Sequence, residues 1–320
     1  MITLKQLAEL SGYSVRTVQR VLTGQAHVMP EKRERILALA KQHQYVPNMA
    51  ARSLRLQKKN FVGIVFEDFN ISASVHKLNC LDSLLIENGY FPMLGNIGEQ
   101  NGFPIEHLLA NWAGVTDYVV VFGGLTRNTG DRFRNYVERY PMKFIFVDAG
   151  TDDLGVSINV DRSGSVYDMI VKLDAMGYRH LLYCGSLETR KKGVEKAEED
   201  SGIKMKISRI QMPEKEFSAG EKIGDAVMAS GADVVFFDTD RQACGFYRYA
   251  AKHHVEIPGQ IAVVGFDNDP FADLLNPPLA TLAHPAQELA QEVLEVIRTG
   301  TPAERKPLKM RFLPRESVSR

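Results

Sequence analysis

Eight short apolar runs frame this 320-residue chain: FVGIVF (61–66), FPMLGN (91–96), DYVVVFGG (117–124), KFIFVDA (143–149), HLLYCG (180–185), ISRIQM (207–212), VVFFD (234–238) and IAVVGFD (261–267). A strand with one wet face alternates apolar and polar side chains, whereas a run that is apolar throughout has both faces covered. Helical stretches separate the runs, so the predicted sheets are parallel with helices on both sides. Their spread along the chain suits two doubly wound subdomains better than one sheet. Ligands of such sheets sit at the carboxyl ends of the strands. There the sequence places Asp68 and Phe69 after the first run, Asp148 at the end of the fourth and Arg190 after the fifth. Asp238, Thr239 and Asp240 follow the seventh, and Asp267 ends the eighth. A polar ring with an aromatic suits a small polyhydroxylated or amide-bearing ligand. Side chains in these places equally serve as caps of the helices that follow.

The first sixty residues differ in kind. Residues 1–59 carry eleven Lys or Arg against three Glu, a net of +8, and the remainder carries −8, so the chain as a whole is neutral. A basic head on an acidic body predicts that the head alone meets a polyanion. LKQLAEL predicts a helix with Thr3 as N-cap and Leu4, Leu7, Ala8 and Leu10 against a core, broken at Gly12. SVRTVQRVL predicts a second helix with Ser14 as N-cap. Thr17, Val18, Val21 and Leu22 form its core face, and Val15, Arg16, Gln19 and Arg20 the opposite one. Two helices across a tight Gly-containing turn form a helix-turn-helix, whose second helix enters the major groove. Arg bonds guanine bidentately and Gln bonds adenine. Inside a basic head this favours base reading over a merely solvated face. A third helix starts at Pro30, contributes Ile36, Leu37, Leu39 and Ala40 to the core, and is stopped by Pro47. Beyond it, NMAARSLRL reads from composition as a basic linker. It is also long enough for about two helical turns, too few to hold alone in water, with Leu54 flanked by Arg52 and Arg55 as minor-groove wedges are.

Other classes find little support. No G-x-G-x-x-G, Walker A or G-x-S-x-G motif occurs, and the eight His lack metal-ligand spacing. Cys80, Cys184 and Cys244 are far apart, with no C-x-x-C, and read as small buried hydrophobes. No cofactor is expected. The N-terminus lacks the apolar core of a signal peptide and no run approaches 18 apolar residues, so the expected location is the cytoplasm, with no membrane partner. The alternative, a solute-binding protein or an enzyme on the same α/β fold, is separated by duplex-DNA binding.

The N-terminus resembles the LacI family of bacterial transcription regulators, whose signature is similar to TLxxLAxxxGxSxxTVxRVL followed by YxPNxxARxL. The matching residues are Thr3-Leu4, Leu7-Ala8, Gly12, Ser14, Thr17-Val18, Arg20-Val21-Leu22, Tyr45, Pro47-Asn48, Ala51-Arg52 and Leu54. LDAMGYRHLLYCG, RKKGVEKA, IAVVGFDND, PPLATLAHP and LPRES extend the resemblance across the body. It implies an α/β chain: a three-helix DNA-binding domain over 1–47, a hinge helix and linker over 48–59, and an effector-binding and dimerisation domain over 60–320. That last domain is of the periplasmic-binding-protein type, one subdomain at about 60–158 and 284–303, the other at about 159–283 and 304–320. It implies a homodimeric repressor, not an enzyme, binding palindromic operator DNA under control of a sugar-like effector. Val15, Arg16 and Arg20 are implied to read bases, Thr3, Ser14 and Thr17 to hold phosphates, and Leu54 to wedge the minor groove. Gln19, Thr23, His27, Asn48, Ala51 and Arg52 complete the DNA set. Asp68, Phe69, Asp148, Arg190, Thr239 and Asp267 form the effector set. The chain departs from the family's pattern at Gln19 (usually Ser), at Thr23 (usually Asn) and at Thr239 (usually Asn). No apolar heptad tail follows RESVSR, so no tetramerising coiled coil is expected.

Overall fold

Thr3 opens the first helix in this computed structural model, its hydroxyl accepting from the Gln6 N–H at 3.2 Å while Gln6 Oε1 accepts from the Thr3 N–H at 2.8 Å. Residues 2–22, 28–45, 59–66, 72–97, 104–123, 127–149, 154–214, 216–300 and 306–319 are described, the side chains of 72, 73 and 127–132 excepted. The expected hinge segment and Thr23, His27, Asn48, Ala51, Arg52, Leu54, Asp68 and Phe69 lie outside them. The chain forms two compact units, Met1–Asn60 and Phe61–Arg320.

The first unit contains α1 (Leu4–Ser11), α2 (Val15–Leu22) and α3 (Pro30–Gln42). Gly12 turns the chain after α1 at φ 74°, a conformation that costs glycine little. Ser14 Oγ accepts from the Thr17 N–H at 3.2 Å and starts α2. Leu7, Ala8, Val18, Val21, Ile36 and Ala40 form the buried core. Four sequence expectations are corrected here. Leu10 is 48% and Leu37 44% exposed: the inner face of α1 runs Leu4, Leu7, Ala8, Ser11, and that of α3 runs Ile36, Leu39, Ala40, leaving both leucines off the i, i+3, i+4 stripe. Val15 is half-buried against the core rather than outward, because it lies three residues before Val18 on the same face. The third helix ends at Gln42, before Pro47: Gln44 adopts φ 46° and the Tyr45 N–H turns back to the Ala40 carbonyl at 2.8 Å.

In the second unit all eight apolar runs become strands: β1 (Phe61–Phe66), β2 (Phe91–Asn96), β3 (Thr116–Phe122), β4 (Lys143–Val147), β7 (His180–Cys184), β8 (Lys206–Ile210), β9 (Val234–Phe237) and β10 (Ala262–Val264). Short strands β5 (Val156–Ile158), β6 (Val160–Asp161), β11 (Thr281–Ala283), β12 (Leu308–Lys309) and β13 (Arg311–Leu313) had no sequence signal. One parallel sheet has the order β2-β1-β3-β4-β5 and the other β10-β9-β7-β8. As an edge strand β2 is not fully covered, and Phe91 and Leu94 stay exposed. Helices α4 (Ser72–Glu87), α5 (Ile105–Trp112), α6 (Arg127–Arg139), α7 (Arg162–Ala175), α8 (Glu188–Glu199), α9 (Phe217–Lys222), α10 (Gly224–Ala229) and α11 (Asp240–His253) fall between strands, and α12 (Ala286–Thr299) follows β11. The chain then crosses back. Helix α12 packs on α4, β12 pairs with β6, and β13 with β11. A single buried apolar cluster holds residues of both sheets, Val62, Ile64 and Ile145 with Tyr183, Val234 and Phe236. No described helix is long and apolar enough to cross a membrane.

Candidate functional site

Each of the two units carries one candidate site. Helix α2 turns about 100° per residue, which puts Arg16 and Arg20 on the side away from Val18. Both arginines are exposed, and Gln19 beside them is half-buried. Thr17 is half-buried, its hydroxyl 2.9 Å from that of Ser14. Thr3 and Ser14 are exposed at the starts of α1 and α2. Two outward cations near one helix face suit an acceptor-rich, anionic surface such as a major groove edged by phosphates.

The second site lies at strand ends of the second unit. Asp148 follows β4 with φ 61°, its N–H donating to the Ile158 carbonyl at 2.8 Å. Its carboxylate accepts from Lys77 Nζ of α4 at 2.7 Å, and both terminal nitrogens of Arg162, the first residue of α7, donate to it. Burial alone would raise the Asp148 carboxyl, but Lys77 and Arg162 hold it well below the usual carboxylate range. Burial likewise lowers Lys77, against the attraction of Asp148.

Asp267 closes the β10 end with φ 106°. Its Oδ1 accepts from His284 Nε2 at 3.0 Å and lies 3.8 Å from the Arg190 guanidinium. That guanidinium lies over the buried Phe266 ring, 3.9 Å from its centroid. Burial lowers the His284 pKa to about 4, with Lys77 adding to the effect and the Asp267 hydrogen bond opposing it. The ring is therefore neutral near pH 7. The R-x-x-G spacing has a packing reason: a Cβ on Gly193 would come within 2.5 Å of the Ser163 carbonyl. Glycine there lets α8 close on α7, and with it Arg190 toward Arg162.

Of the strand-end residues singled out from the sequence, the structure brings Asp148, Arg190 and Asp267 together. It gives Thr239 a capping task at the start of α11, where its hydroxyl accepts from the Gln242 N–H at 3.2 Å. Asp238 accepts from the Ser186 and Leu187 N–H groups at 2.6 and 2.8 Å and from the Tyr183 hydroxyl at 2.6 Å. Asp240, fully buried, accepts from the Asp269 N–H and the Thr281 hydroxyl, both at 2.7 Å. These three groups hold the loops of the second sheet. Lys77, Arg162, Phe266 and His284 were not among the sequence candidates. The available signals were weak: a lysine inside the apolar stretch VHKLNCLDSLL, an arginine opening a helix, and a histidine in LAHP.

Residues 3–48 match the family model described as bacterial regulatory proteins, lacI family, and residues 172–320 match that of the periplasmic binding protein-like domain. Together the two cover more than half of the chain. The chain belongs to the lacI family of bacterial regulatory proteins. Relatives in this family align along almost its whole length. Catabolite control protein A of Priestia megaterium is 22% identical over 307 residues, 92% of this chain and 91% of its own. The HTH-type transcriptional regulator TreR of Salmonella typhimurium is 26% identical, over 92% and 94%. Among solved structures, the Lac repressor dimer bound to operator and the anti-inducer ONPF matches with a TM-score of 0.75 and 20% identity, covering 99% of both chains. That likeness shows a shared fold. In lacI-family terms, the helix-turn-helix is the unit bearing Arg16 and Arg20, and the charged cluster belongs to the periplasmic-binding-type unit.

Proposed function

We propose that this chain is a ligand-responsive DNA-binding transcription regulator, a repressor that acts in the cytoplasm as a homodimer on palindromic operator DNA and performs no catalysis. The reading rests first on Arg16 and Arg20, exposed on the second helix of a helix-turn-helix inside a segment of net charge +8. In this reading residues 1–47 bind DNA, with Arg16, Gln19 and Arg20 at base edges, Val15 beside them, and Thr3, Ser14 and Thr17 at phosphates. Residues 48–59 form the hinge, and Thr23, His27, Asn48, Ala51, Arg52 and Leu54 complete the contact set. Residues 60–320 hold a small effector, sugar-like as in solved structural neighbours with lactose, ribose or cellobiose. Asp148, Arg190 and Asp267 face that effector, with Asp68 and Phe69 completing the set and Thr239 fixing the neighbouring loop. An effector that favours one arrangement of the two sheets shifts the DNA-competent population, with about 1–3 kcal/mol of coupling.

The deciding experiment is duplex binding by the full chain at increasing salt. Log K should fall linearly with log salt at about −0.9 per phosphate contacted. A slope near zero removes the DNA-binding reading.

A further inference from the structure

Helix α3 carries a lysine where its core-facing stripe calls for an apolar residue. The stripe runs Ile36, Leu39, Ala40, and the position one turn before Ile36 on the same face is Lys32. Lys32 is half-buried, while its basic neighbours Arg33 and Arg35 are exposed. Its Nζ lies 5.7 Å from the centroid of the Tyr13 ring, and Tyr13 packs against the core of the first unit. The stem thus crosses apolar surface and the ammonium reaches its edge. Among the described residues no carboxylate pairs with it and no acceptor takes its N–H donors. The place of the ring is fixed by the chain: the Tyr13 N–H donates to the Ala8 carbonyl at 3.2 Å in the turn after α1, and the next residue, Ser14, starts α2. An ammonium that belongs to α3 therefore stands beside the turn that opens α2, the end that bears Ser14, Arg16 and Thr17.

Holding a long side chain in one geometry costs rotamer entropy, and an exposed contact between a cation and a ring face returns an amount of the same order. The pair therefore adds little net stability. What it changes is where the charge stands. A compact ammonium with three donors and no acceptor suits a single anionic oxygen better than a base edge read bidentately. Duplex DNA presents such oxygens along the walls of the groove that a recognition helix enters. We propose that Lys32 is a phosphate contact of the DNA interface and that Tyr13 is the residue that positions it. The proposal rests on the DNA-binding reading above and deepens it. Arg16 and Arg20 of α2 address bases, while Lys32 of α3 anchors the opening of α2 to the DNA backbone and so helps to set its register. Without the ring the ammonium would be ordered only on binding, at an entropic cost that lowers affinity. The ring orders it beforehand.

The test uses the full chain and a duplex of about 30 base pairs of arbitrary sequence, because a phosphate contact acts on every sequence alike. Fluorescence anisotropy at a series of KCl concentrations gives the slope of log K against log salt. Lys32→Met, which keeps an apolar stem over Tyr13, should make the slope shallower by about 0.9 for each copy of the chain on the duplex. Lys41→Met removes an equal charge from an exposed position near the other end of α3 and should change the slope by less than about 0.3. Tyr13→Phe keeps the ring face and should bind within about twofold of wild type, whereas Tyr13→Leu keeps apolar packing without the ring and should bind about threefold more weakly or worse. In a chain that already carries Lys32→Met, Tyr13→Leu should weaken binding no further, which separates positioning of the lysine from a general effect of Tyr13 on the fold. Circular dichroism melting checks each variant, and Lys32→Gln serves if Lys32→Met does not fold. An unchanged slope in Lys32→Met under a steep wild-type slope overturns the proposal and leaves DNA binding intact, as do Tyr13→Leu losses that add in full to those of Lys32→Met. A wild-type slope near zero instead defeats the DNA-binding reading, and the proposal with it.

Discussion

Asp148 and Asp267 occupy matching places in the two sheets of the second unit. The sheets share one winding, β2-β1-β3-β4 and β8-β7-β9-β10, and each aspartate follows the last of those four strands. Each has a left-handed φ, 61° and 106°, and each donates its N–H to a carbonyl of the short strand that comes next, Ile158 at 2.8 Å and Leu282 at 3.0 Å. Asp tolerates such backbone better than most residues, yet the conformation still costs energy and collects at functional positions. The two carboxylates differ in company. Asp148 is saturated by two cations, while Asp267 shares a neutral histidine and a distant arginine.

Lys77→Met should therefore be expensive although it replaces a charge by an apolar side chain. It strips one partner from a carboxylate that is 5% exposed. Breaking a buried pair from one side costs about 3–5 kcal/mol, and the remaining Arg162 places this loss near the lower end. Urea unfolding at pH 7 measures it, and a change under about 1 kcal/mol would show that Lys77 is not what holds Asp148.

His284 makes stability depend on pH in a defined window. Its pKa falls from 6.5 unfolded to about 4 folded. Between those values the unfolded chain binds the extra proton, so stability falls as pH is lowered from about 6.5 toward 4. The loss from pH 7 to pH 5 should be about 2 kcal/mol from this group alone. His284→Gln should remove that slope. Asp148, whose pKa is depressed, contributes stability that is present above its unfolded value near 3.8 and lost only as pH falls below it, outside this window.

Gly193→Ala tests the approach of α8 to α7. The added Cβ would meet the Ser163 carbonyl at 2.5 Å and the Val166 side chain at 2.7 Å. Overpacking of this kind costs about 1–3 kcal/mol. Arg190, one turn earlier, moves with the helix. The variant should lose both stability in urea and the calorimetric binding of whichever sugar the wild type takes. Lost stability with unchanged binding would separate the packing from the site.

Thr239→Ala removes an N-cap and should cost about 1 kcal/mol. Because the Thr239 hydroxyl is already engaged by Gln242, ligand affinity should stay within twofold of wild type. A tenfold loss by calorimetry would instead make Thr239 a direct ligand contact.

Arg16→Ala should cost about 1–3 kcal/mol at one or two operator positions and change binding to unrelated duplex little. Fluorescence anisotropy with a set of single-base operator variants reads this. A uniform loss across all sequences would reassign Arg16 to a phosphate.

The sequence by itself determined the elements whose signals are local. Apolar runs marked eight strands because burial on both faces of the inner strands leaves a mark at nearly every position, while the edge strands β2 and β8 are less covered. The Thr3 cap, the Gly12 turn and the outward pair Arg16 and Arg20 were legible because helix geometry relates residues only a few positions apart. Even there, Val15 went astray, since a residue 60° from the core direction is settled by which neighbours pack against it. Only the tertiary structure decided the charged cluster. Lys77 and Asp148 are 71 positions apart, and crossover connections of parallel sheets bring them to 2.7 Å. Strands of two or three residues such as β5, β11 and β12 have no periodicity to read and exist through partners far along the chain. The same holds for charge. Whether an arginine is paired or stacked depends on distances and desolvation that form only when the fold closes, and Arg190 is the residue where that difference shows.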